Sequence, residues 1–270
     1  MINLIDKVNE SLSSQFGVKH RPITQADIES VYARQVLSIQ ADAKTKKGLK
    51  KGYLTGILYL APADLSGVNI CPKASQGCRA ACLFSAGRGR FYSVNRARIV
   101  KTLAYHLDRA RFIDTLKKSI RSLIVKAENK GLTPAVRLNG TSDILWEQVS
   151  DIIQTFPTII FYDYTKISAR LFRPIPVNYT LTFSLSESND RDAILALSRG
   201  VNVATVFSGP LPAQYMGRPV IDGDITDLRF LDPKDRQGLI VGLKAKGAAK
   251  EDRSGFVRQA LGAESERRVA

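Results

Sequence analysis

Apolar residues near the start of the chain recur at spacings of three and four. Ile2, Ile5, Val8 and Leu12 share one face of a helix on this spacing. Thr24, a good N-cap, opens a second such pattern through Ile28, Val31, Val36 and Ile39, so residues 1–50 read as a helical extension. Lys44–Lys51 (KTKKGLKK) is basic, carries a glycine and reads as an exposed linker or phosphate-contacting loop. From Tyr53 the pattern changes. Short runs rich in β-branched or aromatic residues predict strands at Tyr53–Leu60, Pro134–Leu138, Thr158–Tyr162, Tyr179–Phe183, Val201–Phe207, Pro219–Asp222 and Leu239–Leu243. Helical spacing lies between several of them. Phe112, Leu116, Ile120, Leu123 and Ile124 mark a long helix ending near Gly131. Leu145, Val149, Ile152 and Ile153 mark another, and Ala193, Ile194 and Leu197 a third, closed by Gly200.

Strands alternating with helices predict an α/β fold with a mostly parallel sheet and right-handed crossovers. About six or seven such units suit a partial or complete parallel (β/α) barrel. It would occupy residues 51–247, between the helical extension and a charged, less ordered C-terminal tail at 248–270. An open doubly wound sheet is the alternative. No glycine-rich dinucleotide fingerprint follows the first strand, which disfavours a nucleotide fold.

Composition changes this picture in one respect. Hydrophobic and charged fractions are ordinary for a globular domain, but 40 Lys and Arg face 25 Asp and Glu, a net charge of +15. Such an excess favours polyanions, nucleic acid first, although a solvated basic surface explains it equally well. No stretch approaches the ~20 apolar residues of a membrane span, and the first residues lack the features of a signal peptide. The cytoplasm is therefore the expected compartment, with no membrane partner. There, three cysteines are not expected to form disulfides.

All three cysteines lie in Cys71-Pro-Lys-Ala-Ser-Gln-Gly-Cys78-Arg-Ala-Ala-Cys82, directly after the first predicted strand. In α/β proteins that is the face where sites are built. If Cys78–Cys82 opens a helix, those two thiols share a face, and the loop carrying Pro72 and Gly77 can return Cys71 to them. Lys73, Arg79 and the helix N-terminus would lower the thiol pKa values. Three thiolates from one loop suit a [4Fe-4S] cluster with one iron left open. Zinc, needing a fourth ligand, is the alternative, as are cysteines that are merely buried. Neither His20 nor His106 has ligand spacing to them. His106 reads as partly buried.

Several predicted strands end in polar groups: Asn139, Thr141, Ser142 and Asp143; Asp163 and Lys166; Ser184 and Glu187; Asp222; and Lys244. On a parallel barrel these ends meet at one mouth, facing the cysteine loop, and would line a pocket for a small-molecule ligand. Singly, each reads as a cap, with Asp143 capping a helix at Ile144 and Ser188 or Asn189 capping the helix before Gly200. Arg88 to Lys126 holds eleven Lys or Arg and two acids. Arg88, Arg90, Arg96 and Arg98, next to Phe91 and Tyr92, suit phosphate contact and base stacking. The other reading is an amphipathic helix with a solvated basic face.

The strings CPKASQGCRAAC, RLNGTSD, FYDYTK, LTFSLSE, VIDGD, LRFLDP and GLKAKG resemble the phage "gene product 88" family, over about residues 45–257. The resemblance implies a phage or prophage origin, hence the bacterial host's cytoplasm. A looser resemblance is to radical S-adenosylmethionine enzymes, which place three cysteines after the first strand of a partial β/α barrel. It implies an open iron able to bind S-adenosylmethionine, and so an enzyme. Two functions stand: an iron–sulfur protein on a radical-SAM-like barrel, or a nucleic-acid-binding protein whose metal centre is structural.

Overall fold

The computed structural model describes residues 4–16, 21–40, 43–234 and 236–259. Ile2, His20 and residues 260–270 of the expected tail lie outside the described residues. Helix α1 (Leu4–Phe16) buries Ile5, Val8 and Leu12 along one face, as their spacing predicts. Helix α2 (Gln25–Tyr32) opens on a capping box, in which the Thr24 hydroxyl accepts from the Asp27 N–H and the Asp27 carboxylate accepts from the Thr24 N–H. Its predicted continuation through Val36 and Ile39 is corrected. Leu37–Ile39 is a strand, β1, antiparallel to β2 (Tyr53–Leu58). The stretch Val36–Ile39 runs extended beneath the long basic helix, where the Ser119 hydroxyl accepts from the Val36 N–H at 3.1 Å. The basic stretch before β2 is a helix, α3 (Ala43–Leu49), and not a linker.

After β2 come α4 (Gln76–Ala80), α5 (Tyr92–Leu107) and α6 (Arg109–Glu128), then β3 (Thr133–Arg137). Short helices α7 (Trp146–Val149) and α8 (Ile152–Thr155) lead to β4 (Ile160–Thr165) and β5 (Tyr179–Ser184). Helix α9 (Asp190–Ser198) precedes β6 (Val203–Phe207), β7 (Gln214–Tyr215), β8 (Arg218–Asp222), β9 (Ile240–Lys244) and β10 (Val257–Arg258). The ten-stranded sheet runs β1-β2-β3-β4-β5-β6-β9-β8-β7, with β10 beside β6. Every predicted strand is present. The pairings from β2 to β6, and on to β9 and β8, are parallel. Among the described residues no pairing closes this path.

Strands β2 to β6 stand side by side in sequence order, and crossovers that advance one strand at a time by the right-handed rule put their helices on one face. On that face Leu54, Leu58, Val136 and Phe161 join Leu103, Phe112, Leu116, Ile120 and Leu123 in one core. Phe183, Val203, Phe207 and Ile240 continue it beneath α9. The opposite face is covered by residues 225–232. There Phe230 packs against Tyr53 and Tyr162, and Asp227 pairs with Arg137 at 3.1 Å.

The tail expected from residue 248 is corrected over its described part. β10 pairs with β6 just beyond the point where β5 leaves it, and Phe256 is buried with Ala81 and Ala249 against Cys78. The chain therefore returns to the strand ends.

A candidate metal centre at the strand ends

The cysteine loop leaves β2 at its C-terminal end and folds over the ends of β3 and β5. Cys71 Sγ accepts from the Ala63 N–H at 3.3 Å and donates to the Thr141 carbonyl, 3.6 Å away. Cys78 lies on α4, which the Ser75 hydroxyl caps by accepting from the Cys78 N–H. Cys82 lies past the end of this short helix, so the shared helical face predicted for Cys78 and Cys82 is corrected. Glu187, after β5, fastens the loop: its two carboxylate oxygens accept from the Ser75 hydroxyl and the Gly77 N–H, both at 2.7 Å. All three cysteines are free and partly buried, and Cys71 and Cys82 each sense the charge of Cys78.

The Cys71 and Cys82 thiols are not lowered as predicted. Burial pushes Cys71 up to about 11 and raises Cys82 as well. Arg79 is no help, because it pairs outward with Asp64. Lysine 166 and Arg98 do pull the Cys82 thiol down, but less than burial raises it.

The polar strand ends divide into two groups. Asn139, Ser142, Asp143 and Asp163 are at most 8 % exposed and are taken up in buried hydrogen bonds. Asn139 is a hub whose side-chain oxygen accepts from Ser142 Oγ, the Ile144 N–H and Trp146 Nε1. Asp163 accepts from the Asn139 N–H and the Tyr179 hydroxyl, each at 2.7 Å. Burial nevertheless raises it to about 7. Asp143 is no helix cap. It accepts from the Lys166 N–H at 2.7 Å and from Thr165 Oγ1, and pairs with Arg170 at 3.2 Å. Burial raises its carboxyl too. Arg170 also pairs with Glu147 at 2.8 Å and donates to the Tyr179 hydroxyl. Sequence reasoning missed Arg170 and Tyr179. Nothing in a lone arginine of an irregular segment, or a tyrosine opening a strand, marks them.

Thr141, Lys166, Ser184 and Glu187 form the second group, nearer the thiols. Thr141 meets Cys71 through its carbonyl, while its hydroxyl donates to the Leu60 carbonyl. Lys166 Nζ donates to Ser184 Oγ at 2.8 Å. Asp222 and Lys244 are exposed at the far end of the sheet, where Asp222 accepts from the Asp224 N–H and Asp224 from the Lys244 N–H. Asn189, expected as a cap, instead bridges the Ser186 N–H and the Ser184 carbonyl. Of the arginines assigned to phosphate contact, Arg88 and Arg90 are exposed. Arg96 is tied to Asp27 at 2.8 Å and Arg98 is buried. His106, expected partly buried, is exposed.

Among the described residues, no group of three or more His, Cys, Asp or Glu side chains is set to hold a metal ion. No described helix is long and apolar enough to cross a membrane.

A mostly parallel α/β sheet with a cysteine loop folded over its strand ends is thus the class of protein. The gene product 88 family matches residues 35–260, most of the chain, and the chain belongs to that family. The match supports the expected bacteriophage origin. No curated protein and no solved structure matches the chain. The likeness to radical S-adenosylmethionine enzymes finds no support in these comparisons.

Proposed function

We propose that the chain is an iron–sulfur protein in which Cys71, Cys78 and Cys82 hold a [4Fe-4S] cluster, with the fourth iron left to a small molecule. The observation that carries this reading is one loop bringing three unpaired thiols over the C-terminal ends of parallel strands, clamped there by Glu187. The consecutive winding of β2 to β6, and the donation from Lys47 Nζ to the Asp224 carbonyl, support a sheet curled as a partial barrel.

Three thiolates from one loop are the donor type such a cluster takes, which supports the reading. A single tetrahedral zinc would want a fourth ligand beside the three thiolates. A cubane takes its three thiolates on three separate irons and spreads them wider. When bound, such a cluster supplies electron transfer or Lewis acidity. The protein's own part is to hold the loop and to present Lys166, Ser184 and the Thr141 carbonyl beside it. S-adenosylmethionine is left out of the proposal, because the spacing is Cx6Cx3C and Asn139-Gly140-Thr141 follows the second parallel strand.

Anaerobically purified protein should absorb broadly near ~400 nm and carry about four irons and four sulfides per chain. Cys71→Ser, Cys78→Ser and Cys82→Ser should each lose the iron. Stoichiometric zinc without sulfide would reject the cluster. A second reading, nucleic-acid binding, is favoured by one observation: Arg88 and Arg90 are exposed beside Leu83 and Phe91, 57 % and 52 % exposed.

A further inference from the structure

One residue of the cysteine loop keeps a backbone that its side chain disfavours. Ala63 has φ +44°, in the left-handed region where glycine is at home and a Cβ is crowded. It holds the second position of the turn Pro62–Leu65, closed by donation from the Leu65 N–H to the Pro62 carbonyl at 3.1 Å. The segment is pinned on both sides. Before the turn, the Ala61 N–H donates to Thr102 Oγ1 at 2.8 Å, and the Leu60 carbonyl accepts from the Thr141 hydroxyl. After it, the Ile70 carbonyl accepts from the Asp143 N–H at 3.0 Å, and Asn69 Oδ1 accepts from the Cys71 N–H at 2.8 Å. The Ala63 N–H leaves this turn pointing at Cys71 Sγ, 3.3 Å away. Strain of this kind persists only where the surroundings impose it, and it gathers at functional sites.

The two groups at that sulfur respond differently when it becomes a ligand. The Thr141 carbonyl, 3.6 Å away, accepts from the thiol, and a thiolate has no proton to give it. The Ala63 N–H only donates, so its hydrogen bond becomes charge-assisted and stronger on a thiolate. Hydrogen bonds to the sulfurs are among the factors that set the potential of an iron–sulfur cluster. A donor favours the state carrying more negative charge, which is the reduced one.

We infer that Ala63 is a positioning residue for Cys71, whose left-handed backbone holds an N–H on the ligating sulfur and so raises the midpoint potential of the cluster. The inference rests on the proposed [4Fe-4S] site.

Anaerobic redox titration of the protein as purified tests it, followed by visible absorption and by the electron paramagnetic resonance of the reduced cluster. Iron and sulfide are assayed on the same samples, and circular dichroism checks that each variant is folded. Ala63→Val should lower the potential, because a β-branched side chain is excluded from positive φ and the N–H must turn off the sulfur. At a fixed potential the ratio of oxidised to reduced cluster should rise about threefold to tenfold, the upper figure being about 59 mV for one electron. Ala63→Gly admits the same backbone and should keep the wild-type potential. Where Ala63→Val does not fold or loses iron, an ester in place of the Pro62–Ala63 amide removes the N–H alone and should give the same fall. A potential unchanged in the valine or ester protein, at wild-type iron and sulfide content, overturns the inference and leaves the cluster standing, as does an equal fall in Ala63→Gly. Wild type without iron and sulfide rejects the cluster, and this inference with it.

Discussion

Glu187 spends both carboxylate oxygens on the cysteine loop, one on the Ser75 hydroxyl and one on the Gly77 N–H. Hydrogen bonds to a partly buried charge are each worth about 2 kcal/mol. Glu187→Ala loses both and should therefore lower unfolding stability by about 4 kcal/mol, and, if the proposed cluster is bound, release its iron faster to a chelator; unchanged melting and unchanged iron would show that the clamp is ornamental. Asp163 makes a different prediction, in pH. Its ordinary value is 3.8, and burial raises it to about 7 in the fold although the Tyr179 hydroxyl and Asn139 N–H both donate to it. The folded protein then holds a proton that the unfolded chain has lost. This contribution to stability is fully present below about pH 4 and is lost as pH rises to about 7, up to about 4 kcal/mol across the window. Asp163→Asn removes the titration. Thermal melts of the variant, subtracted from wild type, should show the wild type losing relative stability from pH 4 to pH 7 and no further difference above it. A difference that grows in the other direction would mean that the donors outweigh burial.

At the scale of elements, the turn from β3 into the site depends on close approach. Gly140 N–H donates to the Leu58 carbonyl at 3.0 Å, and a Cβ at Gly140 would meet Tyr59, Ile57 and that same carbonyl at 2.6 to 2.8 Å. Gly140→Ala must push β3's exit away from β2 and carry Thr141 off Cys71, an overpacking cost of about 1–3 kcal/mol. Gly209→Ala, where a Cβ meets nothing within 4 Å, is the control. Equal melting temperatures for the two variants would refute the close contact. The seven predicted strands were legible in sequence because each is a five- or six-residue run rich in β-branched or aromatic residues. The strands β1, β7 and β10, of three, two and two residues, carry no period to read. Val36 and Ile39 also fitted a helical spacing, and only packing beneath α6 decides between the two. In the site, the cysteines and Glu187 were visible by residue type and position after a strand. Which polar groups turn inward was not. Asn139 and Asp143 look the same in sequence as Thr141, and their burial is set by Trp146, Tyr179 and Arg170 arriving from elsewhere in the chain.

Over the whole molecule, the +15 charge is less free than the count suggests. Arg96 pairs with Asp27, Arg111 with Glu29 and Lys117 with Asp151, all acids from outside the basic helices. Arg109 and Arg121 lie over the rings of Tyr105 and Phe156. Arg137, Arg170 and Arg229 are spent on inward ion pairs with Asp227, Asp143 and Asp232. What remains next to the site is the turn Gly87–Arg90, where exposed Arg88 and Arg90 flank a buried Gly89 and are followed by exposed Phe91. Two cations and an aromatic on one exposed turn are suited to a phosphate backbone and a stacked base. If this turn is the footprint, binding should fall with salt as phosphate contacts release counterions, and losing two contacts should flatten that dependence. Replacing both Arg88 and Arg90 with Ala should reduce the slope of log affinity against log salt by about 1.4 for single strands, the share of two phosphates. Phe91→Ala should weaken single-stranded binding, by about 1–3 kcal/mol for one stacked base, far more than duplex binding. Iron content should not change in either variant, because none of the three residues is a proposed ligand. Filter binding across a salt series decides the matter. No binding by wild type below ~10 µM at low salt, weaker than most non-specific association, would make the charge a solvated surface. A slope untouched in the double variant would move the footprint to Lys46, Lys50 and Lys51 around the end of α3.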